Sequence, residues 1–238
     1  MSRSREVAEV TAPLVDHLQE LRRRVGIALI AVIAGAIITF AWCDHLIALL
    51  RTPLNGTPLY FVGVGDAFGI RMQLSLIGGV ALAMPVWLWQ AWAFIRPGLT
   101  DRERRAARPW IPLALLLFIV GVGVAWVVLP FAVSFLLSFA TADLTPLIAA
   151  DRYFGFVGSL MLVFGLATEY PILLVFLSRV GVITSIKLRR WRRNALVLAV
   201  VVGAFATPGT DLVSPIVLAV VLYVLYELSI WLVRAGGR

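Results

Sequence analysis

Charged residues are scarce in this sequence. Asp, Glu, Lys and Arg supply 14% of the 238 residues, whereas hydrophobic residues supply 61%. The mean hydropathy is +0.95. A soluble protein of this length needs a polar surface that such a composition does not provide, so the sequence predicts an integral membrane protein.

The side chains that most enzymes and metal sites require are also few. The single cysteine, Cys43, excludes an internal disulfide and a cysteine-based metal cluster, and we expect it to pack as a small hydrophobic residue near a helix end. Neither His17 nor His45 has a second ligand at helical spacing, so no metal site is predicted. The sequence contains no glycine-flanked serine and no nucleotide-binding loop. We therefore predict no enzyme activity and no cofactor.

Six apolar windows predict six transmembrane helices within one all-α transmembrane domain over residues 1–238. The windows lie at about residues 25–42, 67–94, 110–139, 153–178, 194–206 and 216–233. The fifth is roughly 20 Å long at 1.5 Å per residue, against roughly 30 Å of hydrocarbon, so it needs local bilayer thinning or a helical extension. Leu14, Leu18 and Leu21 fall on one face and predict an amphipathic N-terminal helix that runs into the first span. The polar start of the chain does not resemble a signal peptide.

Basic residues are concentrated on one side of the six-span topology. Eighteen of the 21 lysines and arginines lie before the first span, after the second, after the fourth or after the sixth. Loops with such an excess stay in the cytoplasm, so both termini are expected to be cytoplasmic. We interpret these clusters as topology signals first and as contacts for anionic lipids second, and we predict no nucleic-acid partner.

One carboxylate, Glu169, lies inside the fourth apolar window, in the stretch FGLATEYPILL from Phe164 to Leu174. An ionisable group near the bilayer centre costs about 2.5–3.5 kcal/mol on insertion scales, so it usually faces a protein interior or water and marks a functional pathway. Pro171 has no N–H, which leaves the carbonyl of Ala167 without its helical donor beside the acid. We predict a polar pocket within apolar surroundings at Glu169. The alternative is a satisfied interior carboxyl that locks two helices together.

Two further acids lie on the basic cytoplasmic side, and structural roles are open for both. Glu20 has the i,i+4 spacing for an ion pair with Arg24. Glu103 has the capping-box spacing from Thr100 for the third helix. A cationic ligand would be repelled by this face except where a carboxylate accepts a guanidinium in bidentate geometry, so both acids are also candidate binding residues. Glu227, near the end of the sixth window, is interpreted as a structural acid that reaches the interface.

Five motifs occur between or within the predicted helices. They are HLQELRRR (17–24), PVWLWQAWAFIRPGLTDRERR (85–105), FGLATEYP (164–171), ATPGTDLVSP (206–215) and LYELSI (225–230). Each is weak alone, but in this order they resemble the TatC subunit of the twin-arginine protein translocase over nearly the full chain. The resemblance implies a concave, glove-like arrangement of six helices in the cytoplasmic (inner) membrane. It also implies export of folded proteins driven by the proton-motive force.

By the same resemblance, this chain is expected to be a receptor for signal peptides that carry paired arginines and to work with the single-span subunits TatA and TatB. The family's signal-peptide patch matches five residues: Glu20, Glu103, Leu21, Arg22 and Phe94. The two acids are expected to contact the two arginines of the signal peptide. One chain is too small to form a pore for a folded protein, so oligomerisation with the single-span partners is implied.

Three further residues match family positions. Glu169 matches the intramembrane acid linked to the concave face and the partner helices, Pro53 the proline of the first periplasmic loop, and Asp211 the aspartate between spans five and six. The sequence departs from the family where Ser214 is followed by Pro215, since the family usually has a Ser-Gln pair there. This departure removes a glutamine that could contact a partner helix.

Two other classes of function compete with this interpretation. A small-solute or proton-coupled secondary transporter would use Glu169, Pro85, Pro130 and Pro171 as a broken-helix site, but the two halves show no inverted repeat. An intramembrane enzyme is disfavoured because no nucleophile and base pair is present.

Overall fold

The computed structural model describes residues 2–54, 56–98, 110–141, 146–179, 181, 183–207 and 211–235, with side chains from residue 17 onward. Within these ranges the chain is mostly helical. The helices are α1 (Ser2–Ala41), α2 (Cys43–Leu50), α3 (Asp66–Leu82), α4 (Met84–Ile95), α5 (Trp110–Leu137), α6 (Ala150–Ala167), α7 (Tyr170–Arg179), α8 (Ser185–Arg190), α9 (Arg192–Ala206) and α10 (Val213–Ala235). The strands β1 (Leu59–Tyr60) and β2 (Ile148–Ala149) pair in parallel, and they are the one small departure from the predicted all-α fold.

Four helical stretches of the described chain are long and apolar enough to cross a membrane. They are His17–Ala41, Trp110–Leu137, Ala150–Arg179 and Val213–Arg234, and the bent pair of α3 and α4 makes a fifth. The remaining predicted span, 194–206, lies on α9, whose 15 residues measure about 22 Å at 1.5 Å per residue. The molecule is a multi-pass membrane protein with four or five candidate spans, and a sixth crossing stays a prediction.

The second predicted span, 67–94, is not one uninterrupted helix, so the prediction is wrong at Ala83. The two helices on either side of this residue, α3 and α4, are bent by 49°. The cause is Pro85, because its ring crowds the preceding turn and it has no N–H to donate to the carbonyl of Ala81. The bend directs α4 so that it packs against α1 as well as against α5.

The fourth predicted span, 153–178, is interrupted at Glu169, between α6 and α7. Pro171 cannot donate to the carbonyl of Ala167, and the next backbone amide, that of Ile172, donates to the carbonyl of Glu169 instead. The proline therefore places the acid at a break in the helix, as the missing donor predicted.

The helices form a row in which each packs on its neighbours. α1 packs against α3 and α4, and α3 packs against α6. α6 packs against α5, and α5 packs against α10. α10 also packs against α7 and α9. The larger core lies mainly among α3, α5 and α6 and includes Leu74, Leu129, Leu160 and Phe164. A smaller cluster between α7, α8 and α10 comprises Val175, Leu188, Tyr226, Ile230 and Val233. Large apolar side chains on the outer faces of α1, α5 and α9 are exposed, as lipid contact requires.

Two glycines allow α1 and α3 to approach at backbone contact. A Cβ at Gly79 would lie 2.6 Å from the backbone nitrogen of Ala36 and 2.7 Å from the carbonyl oxygen of Val32. Gly35 faces the same point, where its Cβ would lie 2.8 Å from the Gly79 carbonyl oxygen. Small residues at such crossings let membrane helices pack closely, so these glycines set the position of α1 against the rest of the row.

We expect Gly79→Ala to destabilise the protein, because the new methyl group meets backbone atoms that cannot rotate away. Overpacking of this kind costs about 1–3 kcal/mol. Gly69→Ala is the matched control, since Gly69 lies in the same helix with nothing within 4 Å of its Cβ position. Alanine is the better helix former, so this control should be neutral or stabilising. Thermal unfolding in detergent measures the difference, and equal midpoints for the two variants would contradict the close approach.

Candidate functional site

The Glu20 carboxylate lies on α1 and is paired with Arg24 one turn further along the helix. The Arg24 Nε and Nη2 nitrogens lie 3.0 and 2.5 Å from the same carboxylate oxygen, Oε1. The i,i+4 pair that the sequence left open therefore exists. Arg24 does not use the second oxygen, Oε2, and the Glu20 side chain keeps 32% of its surface exposed. The carboxylate can therefore accept hydrogen bonds from a second cation.

An open cavity of about 920 Å³ adjoins this carboxylate. Its walls are Gln19, Glu20, Arg22, Arg23, Arg24 and Ile27 of α1 with Trp89 and Gln90 of α4. Arg24 also donates from Nη1 to Gln90 Oε1 at 3.3 Å, which joins the two walls. Among the described residues that line the cavity, Glu20 is the single acid against three arginines. Glu20 is therefore the one anionic group on these described walls that attracts an incoming guanidinium.

The remaining residues of the predicted patch are placed differently. Arg22 lines the cavity, whereas Leu21 and Phe94 are not among its walls. The Phe94 ring stacks on His17 with centroids 4.3 Å apart and an interplanar angle of 21°, so it fixes the end of α4 against α1. Leu21 lies on α1 with its side chain exposed. Glu103 lies outside the described residues, and its place in the patch stays a prediction.

The second site is Glu169, at the break between α6 and α7. Its Oε1 is buried and has no hydrogen-bond partner among the described residues. A cavity of about 440 Å³ lies on one side between α7, α9 and α10, and a cavity of about 360 Å³ lies on the other between α4, α5 and α7. The buried indole Nε1 of Trp87, on a wall of the second cavity, also lacks a partner in the described ranges. This geometry favours a functional pocket over a carboxyl that locks two helices.

Thr168 and Gly121 hold the break in place. The buried Thr168 hydroxyl lies 2.8 Å from the carbonyl oxygen of Leu117 on α5 and 2.7 Å from that of Gly165 in the last turn of α6, and it can donate to either. A Cβ at Gly121 would clash with the Thr168 hydroxyl oxygen. Only glycine permits this approach, which anchors the residue before Glu169 to α5.

Pro53 lies beyond the opposite end of α1, buried in the 3-10 turn Thr52–Leu54. Tyr153 of α6 donates its hydroxyl to the carbonyl oxygen of Leu50 at 2.8 Å and so holds this loop against the helices. Cys43 packs as a small buried residue at the start of α2, as predicted, and burial raises the pKa of its thiol. Pro53 thus has a packing role, and a functional role stays a prediction.

Asp211 is only 3% exposed and precedes the first turn of α10. Its Oδ1 accepts a hydrogen bond from the backbone N–H of Ser214 at 2.6 Å, which caps the helix. Its Oδ2 and the Ser214 hydroxyl are buried without partners in the part of the chain that the structure describes. Pro215 falls in this first turn, where a missing N–H is tolerated, and its carbonyl oxygen would lie 2.5 Å from a Cβ at Gly203. The proline therefore shapes the start of α10 and its contact with α9.

Four residues that build these sites were missed by sequence reasoning. Gln90 is the one strongly polar side chain between Pro85 and Phe94, a signal that could have identified it, and Trp89 stands beside it. Thr168 is adjacent to the intramembrane acid and could have been found by the same reasoning. Tyr153 carries no local signal, because its partner lies in a distant loop.

The chain is similar in sequence and in fold to known proteins. Residues 16–220 match the family model described as Sec-independent protein translocase protein (TatC). Two proteins named Sec-independent protein translocase protein TatC are each 37% identical to this chain. The one from Aquifex aeolicus covers 95% of this chain and 96% of its own length. The one from Deinococcus radiodurans covers 94% of this chain and 86% of its own length.

The fold is also similar to a crystal structure of the twin arginine translocase receptor TatC. The TM-score is 0.80 with 37% sequence identity, over 93% of this chain and 100% of that chain. Together these likenesses favour a protein translocase over a small-solute transporter.

Proposed function

This chain belongs to the TatC family, and on that basis we propose that it is the signal-peptide receptor and core subunit of a twin-arginine system. The system exports folded proteins across the cytoplasmic membrane. Two features of the described residues support the proposal: a single carboxylate in a basic cavity on α1, and an unpartnered acid at a helix break. The resemblance to the family implies the proton-motive force as the source of energy, and the sequence has no nucleotide-binding loop.

In the proposed topology the chain crosses the inner membrane six times, as one domain with both termini in the cytoplasm. The five candidate spans and the shorter α9 supply the six crossings. The basic end of α1, the helix α8 and the end of α10 then share the cytoplasmic side, as the excess of lysine and arginine requires. The ion pair between Arg192 and Glu227, at 2.6 Å, is consistent with this arrangement because it joins the start of α9 to the end of α10.

At the cytoplasmic rim, Glu20 is proposed to accept one arginine of the signal peptide through Oε2. Glu103 accepts the second arginine, and Arg22, Leu21 and Phe94 flank the bound peptide. Arginine suits such a site because its planar guanidinium presents parallel donors to a carboxylate, whereas a lysine ammonium acts as a point charge.

Deeper in the membrane, the apolar part of the signal peptide is proposed to lie along the cavities at Glu169. TatA and TatB then pack against the same region, and several copies assemble around each cargo. Both cavities have mainly apolar walls, which suits a membrane-embedded helix, and the acid supplies a polar contact within them. Pro53 and Asp211 shape the loops at the far ends of the spans.

The observation that carries the proposal is the Glu20 carboxylate, with one oxygen unused by Arg24, among three arginines. Its test is export in a bacterium that lacks its own TatC, with this chain co-expressed beside TatA and TatB from the same source. We expect a folded fluorescent reporter with an Arg-Arg signal to be exported, a Lys-Lys version to be retained, and a protonophore to stop export. Equal export of both signals would contradict a twin-arginine receptor.

A further inference from the structure

A groove runs along the N-terminal part of α9, from Trp191 to Val201. The helices α7 and α9 both pack against α10 and leave the groove, of about 630 Å³, between them. Its floor includes Tyr226 of α10, whose hydroxyl donates to the carbonyl oxygen of Leu188 at 2.6 Å. Its walls include the apolar side chains of Leu174, Leu177, Leu198 and Val201. These walls of the groove are therefore apolar, and a hydrogen bond holds Tyr226 in place on its floor.

One end of the groove is positively charged. Lys187 and Arg193 line this end, together with Asn194. Neither basic residue forms an ion pair with an acid in the described part of the chain, and the acid of α10, Glu227, is already paired with Arg192. The groove thus offers two cationic groups and an amide donor to an anion at one end and hydrocarbon contacts beyond it.

The dimensions suit one lipid chain of one leaflet. Trp191, 55% exposed, lines the groove at the start of α9, and tryptophan at a helix end marks the membrane interface. From Trp191 to Val201 the helix rises about 15 Å at 1.5 Å per residue, which is about half of the roughly 30 Å hydrocarbon thickness. The inner end continues towards the 440 Å³ cavity beside Glu169, because both spaces share Tyr170, Ala195, Leu198 and Tyr226 as walls.

We propose that this groove binds an anionic phospholipid, with its phosphate on Lys187 and Arg193 and one acyl chain along α9. The lipid fills the space between α7 and α9 and reaches the region of Glu169. The site does not depend on the receptor role, since lipid retention is measured without any signal peptide or partner subunit.

Native mass spectrometry of the full chain tests the proposal, with palmitoyl-oleoyl phosphatidylglycerol or phosphatidylcholine added in detergent. We expect phosphatidylglycerol to remain bound at concentrations at which phosphatidylcholine is lost. The double variant Lys187→Ala/Arg193→Ala should retain phosphatidylglycerol about 30-fold less well, as the loss of two basic contacts with an anionic lipid predicts. The matched control is Arg189→Ala/Arg190→Ala, which removes the same charge from exposed positions of α8 that do not line the groove.

A second variant and two further measurements distinguish a bound phospholipid from other occupants of the groove. Leu198→Trp fills the groove without a change of charge and should also release the lipid, with an unchanged thermal unfolding midpoint. Glycerol phosphate should not displace the lipid, because it lacks the acyl chain, and displacement would identify a free-phosphate site instead.

A photocrosslinker at Leu177 in native membranes should yield a phospholipid adduct. A protein adduct there, equal retention of the two lipids, or no difference between the double variants would overturn the proposal.

Discussion

Glu20→Ala is expected to weaken binding of an Arg-Arg signal peptide by about 10- to 100-fold, the loss of a charge-assisted hydrogen bond of about 1.5–3 kcal/mol. Without this acid, the described walls of the cavity keep only basic charges, from Arg22, Arg23 and Arg24, which repel an incoming guanidinium. The protein should still insert and fold, since the ion pair that is lost contributes only about 0.3–0.5 kcal/mol. Binding of a fluorescent peptide to the purified protein measures the affinity, and photocrosslinking in native membranes confirms the position.

Arg24→Ala is the control that separates a binding role of Glu20 from a helix-stabilising one. Both variants destroy the same ion pair, so a purely structural role predicts equal effects on peptide binding. A binding role predicts that Arg24→Ala keeps or raises the affinity, because it frees Oε1 and removes a competing charge. Equal losses of peptide affinity in the two variants would mean that Glu20 acts only through its ion pair with Arg24.

The Glu20 cavity shows how far sequence reasoning reaches. The pair with Arg24 could be predicted because helical spacing fixes which side chains are neighbours on one helix. The opposite wall, with Trp89 and Gln90, could not be predicted in the same way. Its position depends on the 49° bend between α3 and α4 and on the packing of α4 against α1. Spacing within one helix carries no information about another helix.

A break within a span could be predicted from the sequence, whereas contacts between spans could not. Pro171 removes one local hydrogen bond, so a break beside Glu169 could be predicted from the sequence alone. The approach of Gly35 to Gly79 could not, because it is a backbone contact between two helices and leaves no local pattern. The walls of the two cavities at Glu169 come from six helices, and the sequence predicted only a polar pocket within apolar surroundings at the acid.

Glu169→Leu is expected to raise the thermal stability of the protein and to abolish export. A buried polar atom without a partner costs about 1–3 kcal/mol, and Glu169 Oε1 is such an atom among the described residues. Leucine is of similar size and suits the apolar surroundings. Export should fail because Glu169 is the only carboxylate on the described walls of either cavity, and leucine offers a partner helix no polar contact. Unfolding midpoints in detergent and export of an Arg-Arg reporter measure the two effects.

Glu227→Leu is the matched control and should give the opposite result in both measurements. Glu227 is paired with Arg192 in a partly exposed position, so its loss should lower stability by at most about 1 kcal/mol and leave export intact. A lower unfolding midpoint for Glu169→Leu would mean that the carboxyl is hydrogen-bonded and locks two helices together. Continued export by this variant would mean that Glu169 has no role in transport. Peptide binding should persist in Glu169→Leu, since the Glu20 cavity shares no wall with the cavities at Glu169 and leucine keeps the apolar walls along which the rest of the signal peptide is proposed to lie. If Glu20→Ala loses peptide binding whereas Glu169→Leu loses only export, recognition of the signal peptide and the later step of transport depend on different sites.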